Sequence, residues 1–211
     1  SKDGGAIYIS DSYLTASRLL SAANEAYLYG GFIFVSTSIV DISNAVVSDN
    51  WALQGGAFHL SGTSSTYSDL SLDFTTLTQN TSASSGSVMR IGYADAIVMN
   101  SIIAYNGPQY AISKSAASSA DYLQTYSLFY SNNPGTYSNI LPTPSAGVDG
   151  NIDSPPYFVD LTNDGNWAND DWNLGTGSSA IDAGDPNAGL DVDSTTADIG
   201  AFGGPAGDWT P

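Results

Sequence analysis

The chain has no cysteine, one glutamate, one histidine and four basic residues in 211 positions, and each scarcity excludes something. Without cysteine there is no disulfide, no thiolate metal site and no Cys nucleophile, so the fold stands on packing and hydrogen bonds. Every acidic residue but Glu25 is aspartate. Aspartate bonds its own nearby backbone and suits turns and caps, whereas glutamate is the helix former, so few long helices are expected. Lys2, Arg18, Arg90 and Lys114 face 21 acidic residues, for a net charge of −17. Such a surface repels phosphate backbones and anionic membranes, which argues against nucleic-acid partners and leaves cationic partners, neutral sugars and Ca²⁺. No apolar run approaches the roughly 18 residues needed to span a bilayer, so no membrane insertion is expected within this segment. Nor does a charged-then-apolar leader open the chain. The abrupt start at SKDGGAIY and the end at GDWTP read as the bounds of a portion of a longer secreted protein, with signal and anchor outside it.

What the sequence has in abundance is repetition. GGAIYIS at 4–10, GGFIFVS at 30–36 and GGAFHLS at 55–61 share one phrase, with a degraded copy at Gly86-Ser87. Asn24, Asn50, Asn80, Asn106 and Asn132 recur at intervals of 26, 30, 26 and 26 residues, each after a short strand-like run. The extra four residues before Asn80 fall in GTSSTYS, whose turn formers suit an outward loop. A unit of this length cannot bury its own apolar face, but stacked copies can. The arrangement that fits is a parallel β-helix, with coils about 4.8 Å apart and equivalent residues in vertical columns. A leucine-rich repeat has a similar period, but its LxxLxLxxN consensus is absent.

Alternation within the phrases assigns faces. Ile7, Ile9, Ile33, Val35, Phe58, Leu60, Met89 and Ile91 point inward, and Tyr8, Phe34, His59 and Arg90 point outward. Leu14, Val40, Leu70 and Ala96, with Ala16, Ile42, Leu72 and Val98, form a second inward pair of stacks. Leu20, Val46, Ile102 and Leu128 are assigned to a third inward wall, with Thr76 as its weak member. The stacked asparagines are expected in a left-handed turn conformation with amides bonded to the coils above and below. The glycines mark positions of positive φ or of close backbone approach. Residues 1–140 therefore read as about five coils. Residues 141–211, which hold twelve of the twenty aspartates and no Lys or Arg, read as a loop-rich terminal cap over the open end.

The GGAIYIS and GGAFHLS phrases with strand-strand-Asn coils between them resemble the right-handed parallel β-helix repeats of large secreted and surface proteins, the pectate-lyase-like superfamily. SPPYFVD, LGTGSSAIDAGDP and DVDSTTADIGAFGG are similar to the closing segment of many bacterial members. The resemblance implies an all-β, single-stranded right-handed parallel β-helix with an irregular C-terminal cap, in an extracellular or bacterial cell-surface setting. Activity is not implied, because that superfamily includes lyases, hydrolases, adhesins and proteins without catalysis.

Polysaccharide lyases of this kind remove a proton beside a uronate carboxylate, which takes a base and a cation. His59 and Arg90, outward on adjacent coils beside Phe34 and Tyr8, are the candidates for that chemistry and, with those two aromatics, for carbohydrate binding. The NTD, GH and RIK signatures of polygalacturonase-like hydrolases are absent, although Asp69 and Asp95 fall at equivalent positions of adjacent coils. Oxygen ligands for a structural Ca²⁺ cluster at Asp160, Asn163 and Asp164 and again at Asp191, Asp193 and Asp198; neither run matches the EF-hand pattern. Trp167 and Trp172 beside the first cluster suit either a sugar platform or an anchor for the cap. The sequon at Asn80 coincides with the asparagine column and reads as structural. The expected function is a non-catalytic extracellular module, an adhesive stalk or carbohydrate-facing scaffold that meets a polysaccharide or cell-surface glycan. A lyase or glycoside hydrolase using the outward face is the alternative.

Overall fold

Each repeat closes on itself because its backbone turns at recurring residues with positive φ. In the computed structural model, which describes residues 1–116, 120–162 and 164–211, these corners form columns. One is Gly4, Gly30, Gly55 and Gly86; a second is Arg18, Asn44, Phe74, Asn100 and Tyr126; a third is Ala23, Asp49, Gln79, Tyr105 and Ser131. Both reasons for a glycine pair apply, one to each member. The first glycine carries the positive φ, and a Cβ on the second would lie 1.9 Å from the Gly31 carbonyl oxygen for Gly5 and 2.1 Å from that of Gly56 for Gly31.

The result is an all-β parallel solenoid of about five turns. Its first wall stacks Ile7–Ser10, Ile33–Ser36, Phe58–Ser61, Met89–Ile91, Ile112–Lys114 and Tyr137–Ser138 in parallel. The second and third walls come from long strands, Tyr13–Ala22, Ile39–Ser48 and Ser68–Thr78, which later coils split into Ala94–Met99 with Ile102–Ala104 and Tyr122–Thr125 with Leu128–Tyr130. Glu25–Tyr29, Trp51–Gln54 and Thr81–Ser85 make a short sheet that leads back to the glycine corner. The extra residues of the third coil form the exposed loop before Ser68, as the turn-rich sequence there requires. No helix among the described residues is long and apolar enough to cross a membrane.

The first and second walls face inward as the alternation requires: Ile33, Val35, Phe58, Leu60, Met89 and Ile91 meet Val40, Ile42, Leu70, Leu72, Ala96 and Val98 in one core. On the third wall the parity is reversed. Ala45, Val47, Leu77 and Ile103 enter the core, whereas Val46, Thr76, Ile102 and Leu128 point away from it. The positive φ at Asn44, Phe74, Asn100 and Tyr126 breaks the strand alternation there, so counting straight through the corner from the neighbouring wall inverts the faces.

That outward apolar column is covered by the C-terminal residues. Ile102 and Leu128 pack with Ala180 and Ile199, and Val46 packs with Trp172 and Ala201. The Ala201 amide donates to Thr76 Oγ1 at 3.0 Å, Asn44 Nδ2 donates to the Gly203 carbonyl at 2.8 Å, and the Gly200 amide donates to the Asn100 carbonyl at 2.8 Å. Arg18 reaches Asp208 at 2.7 Å. Of the segment expected to cover the open end, the part around Asp149 to Ile152 does pair with the last coil, the Tyr126 amide donating to the Asp149 carbonyl at 2.8 Å and Ile152 bridging Leu128. The later part lies along the flank and reaches up to the first coil. Trp172 is buried against that flank, an anchor rather than a platform. The end of the core is closed by Ile140 and by Gln124, whose Oε1 accepts from the Tyr122 and Tyr137 hydroxyls at 2.7 and 2.8 Å. Burial pushes both phenols above their ordinary pKa.

The asparagine column is a continuous ladder. Each Oδ1 accepts the backbone N–H and the side-chain Nδ2 of the asparagine one coil before it, from Asn24 onto Asn50 through to Asn106 onto Asn132, at 2.9 to 3.2 Å. The asparagines do not themselves adopt the left-handed conformation. The residue before each one does, from Ala23 to Ser131, which turns the amide into the stack. Asn80 is fully buried, so its sequon is structural. Asn80→Ala strands the Asn50 N–H in the interior, and each buried group left unpaired costs about 1–3 kcal/mol. Denaturant unfolding is expected to show a loss of about 3 kcal/mol for Asn80→Ala and about 1 kcal/mol for Asn24→Ala, whose Oδ1 accepts nothing.

Candidate functional site

The outward middle residues of the first wall stand in strict register, Tyr8 over Phe34, Phe34 over His59 and His59 over Arg90, followed by Ser113 and Ser138. Parallel pairing without offset makes the rings stack: Tyr8 and Phe34 lie 5.1 Å apart with 22° between planes, and Phe34 and His59 lie 5.5 Å apart at 22°. Tyr8 is 58% exposed. Phe34, His59 and Arg90 are partly buried and line a cleft of about 250 Å³. Gly62, from the loop of the third coil, and Tyr93 form part of its rim.

Sequence reasoning missed Tyr29 and Gln54. Tyr29 packs its ring 4.4 Å from His59 and 6.0 Å from Phe34, and Gln54, its partner on the next coil, lines the same cleft. The signal was present. Each residue precedes a glycine pair, and the corner those glycines make brings it beside the outward middle residue of the following strand.

The electrostatics are one-sided. Among the described residues no carboxylate lines the cleft and Arg90 forms no salt bridge; its guanidinium donates to the backbone carbonyls of Ile91 at 2.9 Å and Ser113 at 3.5 Å. Partial burial lowers its pKa, yet a guanidinium stays charged at neutral pH. Burial first, then the positive charge of Arg90, lowers the His59 pKa to about 4. The imidazole is therefore neutral at physiological pH, and its Nδ1 is enclosed without a hydrogen-bond partner. A nucleophile or base is normally oriented by a third group, and no carboxylate plays that part here. What the arrangement offers is a stack of rings whose edges face outward, ending in a cation that has no carboxylate partner among the described residues.

The two runs of residues proposed for calcium are held by different local contacts. Asp164 accepts from the Asn166 amide at 2.8 Å and from Asn169 Nδ2 at 3.0 Å, while Asp160 sits opposite Asp171 in a two-stranded hairpin. Asn163 lies outside the described residues. Asp191 and Asp198 do meet: Asp191 Oδ2 accepts the Asp198 amide at 2.7 Å, and its Oδ1 accepts that of Gly204. Asp193 accepts from Thr195 at 3.0 Å and 2.8 Å. These carboxylates act as turn-forming acceptors, and no cluster of three or more His, Cys, Asp or Glu suited to a metal is found among the described residues. On the second wall Asp69 pairs with Asp95, and the Asp121 amide donates to Asp95 at 2.7 Å. Burial, then Asp95 and Asp41, raises the Asp69 pKa.

Fold and site together define a parallel β-solenoid with an aromatic outward ladder. Comparison with protein-family models, with curated proteins and with solved structures gave no match.

His59 is the only histidine, so its titration is unambiguous. Its imidazole resonances are expected to titrate near pH 4 by NMR, and Arg90→Ala is expected to move the midpoint part of the way back toward the ordinary value. A depressed folded-state pKa means the unfolded chain binds the extra proton first, so this contribution is complete above about pH 6.5 and is lost as the pH falls toward 4. Asp198 has the opposite sign. Burial, then the charges of Asp191 and Asp182, raises it to about 6, so its favourable contribution is lost as the pH rises through 6. Asp198→Asn keeps an acceptor for the Asp182 amide and is expected to melt at a higher temperature than the parent near neutral pH, with the gain disappearing by about pH 4.

Proposed function

We propose that the chain is a non-catalytic extracellular module of the pectate-lyase-like, bacterial surface type, acting as a carbohydrate-facing scaffold whose contact face is the Tyr8, Phe34, His59 and Arg90 column. The observation that carries this reading is the stacked ladder that ends at an unpaired guanidinium in a cleft without carboxylates. The stacked rings turn their edges outward and leave the most exposed ring, Tyr8, at the end of the stack, and Arg offers a planar fork to a carboxylate. The column therefore suits a glycan strand lying along the stack with an acidic sugar at Arg90. The absence of a carboxylate to orient His59 is what favours binding over turnover.

The alternative is a polysaccharide lyase or glycoside hydrolase. One observation favours it, the common cleft that His59 and Arg90 share beneath Gly62 and Tyr93. Both readings are tested by incubating the protein with acidic and neutral polysaccharides, measuring retention and product release. The expected result is retention of an acidic oligosaccharide without release, weakened about tenfold, or about 1.4 kcal/mol, by Arg90→Ala. Release that is abolished by His59→Ala or Arg90→Ala would establish the enzyme instead.

A further inference from the structure

A second surface differs from the glycine wall in chemistry and position. At the corner after the third wall, Gln79 and Tyr105 stand between two hollows. One, of about 480 Å³, is lined by Gln79, Tyr105, Tyr157, Phe158, Leu161 and Thr162; the other, of about 440 Å³, extends past Thr81 and Pro108 to Ser131 and Asn133. Each falls within the roughly 300–1,000 Å³ of small-molecule sites. Together they form a trough with Tyr105 at its middle.

Three properties of this trough point to one class of ligand. First, no Asp, Glu, Lys or Arg lines either hollow, in a chain of net charge −17. The overall field disfavours an anion, and the lining gives a cation no carboxylate to pair with. Second, the aromatic surface is available: Tyr105 is 37% and Tyr157 56% exposed, and Tyr130 braces Tyr105 edge-on at 5.8 Å and 85°. Tyr105 and Tyr157 line the same hollow. Third, the side chains of Thr81, Ser131 and Asn133 and the hydroxyls of Tyr105 and Tyr157 make no hydrogen bond within the protein among the described residues, whereas Gln79 Nε2 is committed to the Thr162 carbonyl. Uncharged donors and acceptors thus surround a ring surface, the combination that matches a molecule with apolar C–H faces and equatorial hydroxyls.

We infer that this trough is a second binding site, which takes a neutral oligosaccharide with one sugar stacked on Tyr105 and its neighbour held against Tyr157. The inference is independent of the glycine-wall column and stands whether or not that column binds an acidic glycan.

Calorimetric titration of the full chain with cellohexaose, xylohexaose and mannohexaose tests it, with octaproline as the probe for a competing peptide ligand. Binding of at least one hexasaccharide is expected, reduced tenfold or more by Tyr105→Ala and by Tyr157→Ala, kept by Tyr105→Phe and unchanged by Arg90→Ala. Melting temperatures of the variants separate lost binding from lost folding, and Tyr157→Ala, at an exposed position, guards against a Tyr105 variant that fails to fold. No binding of any hexasaccharide at millimolar concentration overturns the proposal. So does binding that survives both alanine variants, or binding of octaproline in place of the sugars.

Discussion

The structure depends on one constraint, the in-register stacking of coils. Once a residue is placed, its equivalents one coil away are fixed about 4.8 Å above and below it, and any chemistry at that position is repeated as a column. The asparagine ladder enforces this register, because each amide satisfies a backbone N–H and a side-chain donor of its neighbour. The glycine column enforces it in a second way, since only a residue without Cβ allows the adjacent backbone so near. A shift by one residue would break both.

That constraint explains what could be read in the sequence. Gly30, Gly55 and the asparagines repeat because a column tolerates few substitutes, so the period and the inward faces of the first two walls were legible. The third wall was not, because one left-handed residue at Asn44 or Asn100 reverses the alternation and nothing in the composition announces it. The position of the C-terminal segment was hidden for a related reason. Val46, Ile102 and Leu128 looked like core, and they are buried, but under C-terminal residues such as Ala180, Ile199 and Ala201 that come far later in the chain. The Tyr8 to Arg90 column was legible as a line of residues; its cleft was not, since Tyr29 and Gln54 reach it only through the glycine corner.

The same stacking sets the character of the surface. Along the first wall it places ring upon ring and then a cation, while the surrounding protein is strongly anionic. Among the described residues Arg90 holds its charge without a carboxylate partner, beside an imidazole that burial keeps neutral. On the second wall it lines up Asp69, Asp95 and Asp121, whose mutual repulsion is tolerated because they face water. At the corner after the third wall it leaves tyrosines in hollows that, among the described residues, no charged side chain lines. Three faces of one solenoid therefore present an aromatic-cationic, an acidic and an uncharged aromatic surface.

A stack of repeats touching only their neighbours behaves as a one-dimensional chain of links, free to fray from an end. The C-terminal segment changes that statistics. By touching Arg18, Asn44, Thr76, Asn100 and Leu128 in turn, it gives the first and fifth coils a common partner, so opening one end costs contacts made by the other. The module is better pictured as a spring with a rod clipped along its side: under tension or heat it should yield as a unit, not coil by coil.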